Sequence, residues 1–200
     1  MRNRRRVYVS KVLTFYYDVA SPYSYISAAR IKDVSQRSNV TVQWTPFLLG
    51  GVFRSVGNTM PGALPARAKY MLKDLTRWSK AWDIPFKFSD TFPHNSLLAM
   101  RALTAAPKDR VEDLSLSIFR AAWVHNLDMS KPDIVADALG DLAPELLAAT
   151  QDPAVKDRLK ETTQDAVDAG GFGAPSFVVG NELYWGNDRL EMAVLAASIA

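Results

Sequence analysis

The stretch Phe15-Tyr16-Tyr17-Asp18-Val19-Ala20-Ser21-Pro22-Tyr23-Ser24-Tyr25 decides the fold of this chain. Val12 to Tyr17 is an apolar, β-prone run, the composition of a central strand buried on both faces. Tyr23 to Arg37 reads as a helix, with Tyr25, Ile26, Ala29 and Ile31 on one side and Arg30, Lys32 and Asp33 elsewhere. At the join, Ser21 stands where an N-cap belongs. Pro22 takes the first helical position, which tolerates proline because its missing N–H would be unpaired in any case. A strand that turns directly into a helix presents free N–H groups and the positive end of the helix dipole at its C-terminal edge. That place suits an anion, and Ser21 sits on it.

Working outward, Thr41-Val42-Gln43-Trp44-Thr45-Pro46-Phe47 predicts a second strand with Val42 and Trp44 on one face. Strand, helix and strand at this spacing form a βαβ unit with a parallel pair. Leu48 to Pro65 is rich in Gly and Pro and reads as a structured loop. From Leu64 to about Leu139 the pattern is helical. Tyr70, Met71, Leu75 and Trp78 recur at helical spacing, Ser96 offers a cap, and Pro132 opens a last segment. Asp152-Pro153 starts a further helix that ends at Gly170-Gly171. Ser176 to Val179 and Glu182 to Trp185 then form a hairpin around Gly180-Asn181, and Asn187 caps a final helix. The expected organisation is a basic, disordered arm over 1–11, the first part of an α/β domain over 12–63, a helical insertion over 64–150, and the remainder of the α/β domain over 151–200.

Two hundred residues suffice for a real core, and 48% hydrophobic with 22% charged is the balance of an ordinary soluble globule. No run is long enough to span a bilayer, and no apolar segment of a signal peptide follows the basic start, which implies a cytoplasmic protein without membrane partners. The net charge of +3 comes from the N-terminus. Arg2, Arg4, Arg5, Arg6 and Lys11 are five of the 24 basic residues, and the remaining 19 face 21 acidic ones, so the body is not a nucleic-acid surface. Cysteine is absent, which excludes disulfides, thiolate metal sites and a protein-borne redox couple.

Ser21-Pro22-Tyr23-Ser24 occupies the position of Cys-x-x-Cys in thioredoxin-fold proteins. The serine-led version resembles the DsbA-related family of 2-hydroxychromene-2-carboxylate isomerases and kappa-class glutathione transferases. Leu48 to Arg54 with Gly57-Asn58, Tyr70 to Trp78, Gly171 to Pro175, and Trp185-Gly186-Asn187-Asp188-Arg189 follow in the family's order. The resemblance implies an α/β, thioredoxin-like fold with an all-α helical insertion of the DsbA type. It also implies glutathione as cofactor, a small aromatic substrate, a homodimer and no metal. With no cysteine in the chain, the reactive thiol moves to the bound cofactor.

By the same resemblance, Ser21 is the catalytic residue, donating a hydrogen bond that favours the glutathione thiolate. As an ordinary N-cap it would contribute only ~1 kcal/mol. A serine hydrolase is disfavoured because neither His94 nor His125 stands in a nucleophile-elbow setting, and both read as structural or surface residues. Ala174-Pro175 corresponds to a cis-proline site whose preceding residue pairs through its backbone with an extended peptide. Asn187 and Asp188 would receive the γ-glutamyl carboxylate and α-ammonium. Arg54, Asn58 and Arg67 complete the cofactor-binding set; the two arginines stand where the family has lysine, which keeps the charge and changes its shape. Tyr16, Trp44, Trp82, Phe92 and Trp185 are read as core, with some lining a pocket for a planar substrate.

Overall fold

The computed structural model describes residues 11–200, and the basic arm predicted over 1–11 lies almost wholly outside them. Four strands form one mixed sheet in the order β2-β1-β3-β4: β1 (Val12–Tyr17), β2 (Thr41–Pro46), β3 (Ser176–Val179) and β4 (Glu182–Trp185). β1 is central. It runs parallel to β2, with Phe15 opposite Trp44, and antiparallel to β3, with Phe15 opposite Phe177. The parallel pair is bridged by helix α1 (Pro22–Arg37), as the βαβ pattern requires.

Burial in β1 alternates, contrary to the expectation of two equally buried faces. Leu13, Phe15 and Tyr17 are sealed, whereas Val12, Thr14 and Tyr16 are half-covered. The sealed face stacks Phe15 between Tyr17 and Phe177, with Trp44 edge-on, and joins the main core. The other face packs Tyr16 on Phe47 beside Val52 and Ala166, a much smaller cluster. Along α1 the buried side is Tyr25, Ile26, Ala28 and Ile31; Ala29 faces solvent.

The segment read as a loop after β2 contains a helix, α2 (Leu49–Val56), and a short 3-10 turn at Pro61–Ala63. Two glycines, each costing about 1 kcal/mol in a helix, hid it. Packing overrides that propensity. A Cβ on Gly51 would lie 3.0 Å from Thr163 Cγ2, so glycine lets α2 approach the helix α8 (Pro153–Asp168). Gly57, at φ 68°, ends α2 in the left-handed conformation that glycine adopts without strain.

Five helices then fill the stretch before α8: α3 (Pro65–Ala81), α4 (Leu97–Ala105), α5 (Val111–Trp123), α6 (Pro132–Leu139) and α7 (Ala143–Ala149). They meet the sheet through its most buried face, where Tyr17 Oη lies 2.5 Å from Ser115 Oγ and Phe119 packs on Tyr17. Asn187 does not cap the last helix, α9 (Leu190–Ile199). It begins a 3-10 turn, Asn187–Arg189, and its side chain is buried rather than turned back on the helix.

Candidate active site

Everything at the site hangs on the five residues between β1 and α1. Asp18 is buried, and its carboxylate accepts the N–H of Ala20 and of Leu49, each at 2.9 Å. Burial raises its pKa above the usual carboxylate range, and those two hydrogen bonds, with the influence of the Ser96 hydroxyl, pull the other way. One side chain thereby ties the end of β1 to the first N–H of α2. Val19 is gripped on both backbone atoms: its N–H points at Met100 Sδ, 3.4 Å away, and its carbonyl accepts Trp123 Nε1–H at 2.9 Å.

Held this way, Ser21 caps α1. Its Oγ accepts the Ser24 N–H at 3.1 Å and donates to the Ala174 carbonyl at 3.2 Å, across the cis Ala174–Pro175 bond. The residue is 4% exposed. A hydroxyl has one proton, so any ligand atom that takes it must also release the Ala174 carbonyl to another donor.

These groups line a cavity of about 1080 Å³ between the C-terminal end of the sheet, α2, α3 and the segment leading into α4. Ser21, Arg54, Asn58, Arg67, Ala174, Asn187 and Asp188 all reach it; Pro175 lies behind Ala174. Their states differ. Asn187 is buried with Nδ2 unpartnered. Asp188 is exposed and paired with Arg189 at 2.7 Å. Asn58 spends Nδ2 on the Phe172 carbonyl and Oδ1 on the Thr59 N–H, which fastens the end of α2 to the loop before β3. Arg54 and Arg67 are exposed cations on the rim.

The aromatic assignments divide. Trp44 is core and Trp82 stacks on Trp78, but Trp185 is 46% exposed, packs at a tilt on Phe172 and lines the cavity with Phe92. Its indole leaves no room beside Gly173, where a Cβ would stand 2.6 Å from Nε1. Several lining residues escaped the sequence reading as site residues. Tyr70, Met71, Asp74 and Trp78 join the expected Arg67 in one stripe of α3 at helical spacing, facing the cavity. Asp74 accepts Tyr23 Oη–H at 2.9 Å and Trp78 Nε1–H at 3.2 Å, joining α3 to the first turn of α1. Burial, then that carboxylate, holds the Tyr23 phenol well above its ordinary pKa, so it stays a donor. His94, taken for a structural or surface residue, is buried in the cavity wall, whereas His125 lies elsewhere and is exposed.

A four-stranded mixed sheet, a capped helix start facing a cis-proline and helices inserted between α2 and α8 define a thioredoxin-type protein. Residues 12–197 match the model of the DSBA-like thioredoxin domain, and the chain belongs to that family. It is 32% identical to human glutathione S-transferase kappa 1 over 91% of this chain and 88% of the relative. To 2-hydroxychromene-2-carboxylate isomerase of Sphingobium xenophagum it is 26% identical over 92% and 96%. A solved 2-hydroxychromene-2-carboxylate isomerase superposes with a TM-score of 0.82 at 26% identity, covering 92% of this chain and 93% of that one. Both relatives are enzymes, and the fold expected from the serine-led motif is the fold found.

Proposed function

We propose that this chain is a glutathione-dependent isomerase similar in chemistry to 2-hydroxychromene-2-carboxylate isomerase. The observation that carries the reading is Ser21: a buried hydroxyl at a helix N-terminus, facing the Ala174 backbone across a cis-proline, in a chain without cysteine. The residues present fit glutathione. The cavity exceeds what the tripeptide needs, and Asn187 Nδ2 is a donor without a partner on its wall. Bound glutathione supplies a thiolate that adds reversibly to a conjugated aromatic substrate and is recovered at the end.

The chain's own groups do the rest. Ser21 donates to the sulfur and, with the α1 dipole, favours the thiolate. Ala174 pairs through its N–H and C=O as in an added strand, and an incoming N–H replaces Ser21 on the Ala174 carbonyl, so the exchange leaves no acceptor empty. Asn187 and Asp188 hold the γ-glutamyl end, with Asp188 leaving Arg189 for an ammonium. Arg54 and Arg67 meet the glycyl carboxylate, and Asn58 keeps the Phe172–Ala174 loop in place. Tyr70 and Phe92 offer apolar surface to a small aromatic substrate. A homodimer is the expected assembly, checked by light scattering.

A kappa-class transferase is the second reading, favoured by the 32% identity to the human enzyme. Conversion of 2-hydroxychromene-2-carboxylate that requires glutathione without consuming it supports isomerisation; glutathione consumed with an aromatic electrophile supports transfer. Ser21→Ala tests the site common to both. The hydrogen bond to a charged sulfur is worth ~1.5–3 kcal/mol, so the bound thiol should titrate at least about one pH unit higher in the variant. An unchanged ultraviolet titration of the bound sulfur overturns the role given to Ser21.

A further inference from the structure

Among the described residues, the buried side-chain atoms without a hydrogen-bond partner include only two from the cavity wall, Asn187 Nδ2 and His94 Nε2. An enclosed polar atom left unpaired destabilises the fold, so each marks a place where a ligand atom would be satisfied. Asn187 belongs to the γ-glutamyl side of the reading above. His94 does not. It lies in the Phe92–Ser96 segment leading into α4, on the side of the cavity built by the helical insertion.

The ring is 8% exposed and stands edge-on to Trp123, with centroids 5.0 Å apart and planes at 86°. Trp123 is itself fully buried and holds the Val19 carbonyl, so the imidazole is backed by one of the most constrained side chains in the molecule. Its Nδ1 lies 3.4 Å from Thr91 Oγ1, which orients the ring and leaves Nε2 as the enclosed nitrogen without a partner. Burial lowers the His94 pKa, with Asp128 opposing, and the ring is neutral at neutral pH. A neutral imidazole suits an uncharged oxygen better than a carboxylate. Phe92, Met71 and Leu97 add apolar surface to the same cavity, and of its polar neighbours Asn95 has its Oδ1 on the Leu97 N–H and Ser96 turns to Asp18.

We infer that His94 is a specificity-determining residue, whose Nε2 hydrogen-bonds a carbonyl or hydroxyl oxygen on the otherwise apolar substrate that meets the bound sulfur. The inference rests on the glutathione reading and deepens it: the substrate class becomes an oxygen-bearing aromatic, with the oxygen directed to the insertion side of the cavity. No proton or electron pair changes hands in this contact. The oxygen gains a partner, and the buried nitrogen gains the one it lacks.

Calorimetric binding of two matched conjugates tests it without requiring turnover: S-phenacylglutathione, which carries a carbonyl beside the ring, and S-(2-phenylethyl)glutathione, which does not. The wild type should prefer the phenacyl arm. His94→Phe keeps a ring against Trp123 and should weaken the phenacyl conjugate about tenfold, the effect of one lost hydrogen bond at a buried site, leaving the phenylethyl conjugate and glutathione unchanged. His94→Gln should recover part of the preference, and it carries the test if the Phe variant does not fold, since its preference should then fall below that of the wild type. Equal losses for both arms, or a preference unchanged by either substitution, overturn the inference while glutathione binding stands. Absence of glutathione binding by the wild type overturns both readings.

Discussion

The two sides of the cavity are built differently. On the sheet side, Ser21, Ala174 and Asn187 are short residues at the ends of β1, β3 and β4, and what they present is backbone or a buried side chain of one or two rotatable bonds. Asp18, Met100 and Trp123 fix that side by hydrogen bonds to the intervening loop. On the opposite side, Arg54 of α2 and Arg67 and Tyr70 of α3 are exposed and long; the two arginines sit on the rim, where the proposed reading gives them the glycyl end of glutathione, and Tyr70 faces the space left for a substrate. A surface of the first kind holds a ligand that never varies; a surface of the second kind adapts to one that does. On the proposed reading the invariant part of the cofactor takes the sheet side and the substrate the other, with His94 the buried polar residue there whose nitrogen lacks a partner.

The sharpest way to break this division is to unlock the rigid side from behind. Trp123 is the largest fully buried side chain, packed against Phe86, Phe88, Phe92 and His94, and it also holds the Val19 carbonyl. Trp123→Ala should cost about 3–5 kcal/mol of stability, read from urea unfolding. Trp123→Phe separates packing from the hydrogen bond: its smaller loss should be accompanied by weaker glutathione binding, because Val19 is released two residues from Ser21. Full glutathione affinity in a folded Trp123→Phe protein would mean that the loop holds its shape without this contact.

The same division explains what could be read from the chain. β1, the Ser21 cap, α1 and the hairpin of β3 and β4 were legible because their signals are local: an apolar run, a serine before proline, a Gly-Asn turn. α2 was hidden because its cap is distant. The Leu49 N–H is taken by Asp18 and the Leu48 N–H by Thr163 at 2.9 Å, partners that no window along the sequence contains. Asn187 misled for the opposite reason, since asparagine before a helix looks like a cap whether or not its side chain turns toward that helix. The α3 stripe was seen as periodic, but periodicity marks a face without saying what it faces. Met71 and Leu75 are buried, whereas Tyr70, one residue before Met71, is 59% exposed. His94 carried no signal at all, because a lone histidine outside any motif becomes informative only when its enclosure and its missing partner are seen.

A milder break falls on the adaptable side. Tyr70→Ala removes a ring that the fold barely uses, so stability should hold. An aromatic glutathione conjugate should bind roughly threefold to tenfold more weakly, in line with ~0.5–1.5 kcal/mol for one aromatic contact, at unchanged affinity for glutathione itself. A parallel loss of glutathione affinity would place the cofactor against Tyr70 as well as Arg67 and erase the division.

The smallest effect concerns the charge state of the selecting residue. Burial lowers the His94 pKa in the folded protein, whereas in the unfolded chain it titrates near 6.5. The folded state then binds its proton less readily, so the stability contributed by the neutral ring is complete above the unfolded value and is lost as pH falls through the folded one. Unfolding free energies of the wild type and His94→Phe, compared at about pH 7.5 and about pH 5, isolate the term from the many carboxylates that titrate in both. The wild type should lose more than the variant on acidification. An equal loss would mean that the imidazole is as readily protonated in the fold as in water, and a protonated ring would select a carboxylate in place of the neutral oxygen assigned to it.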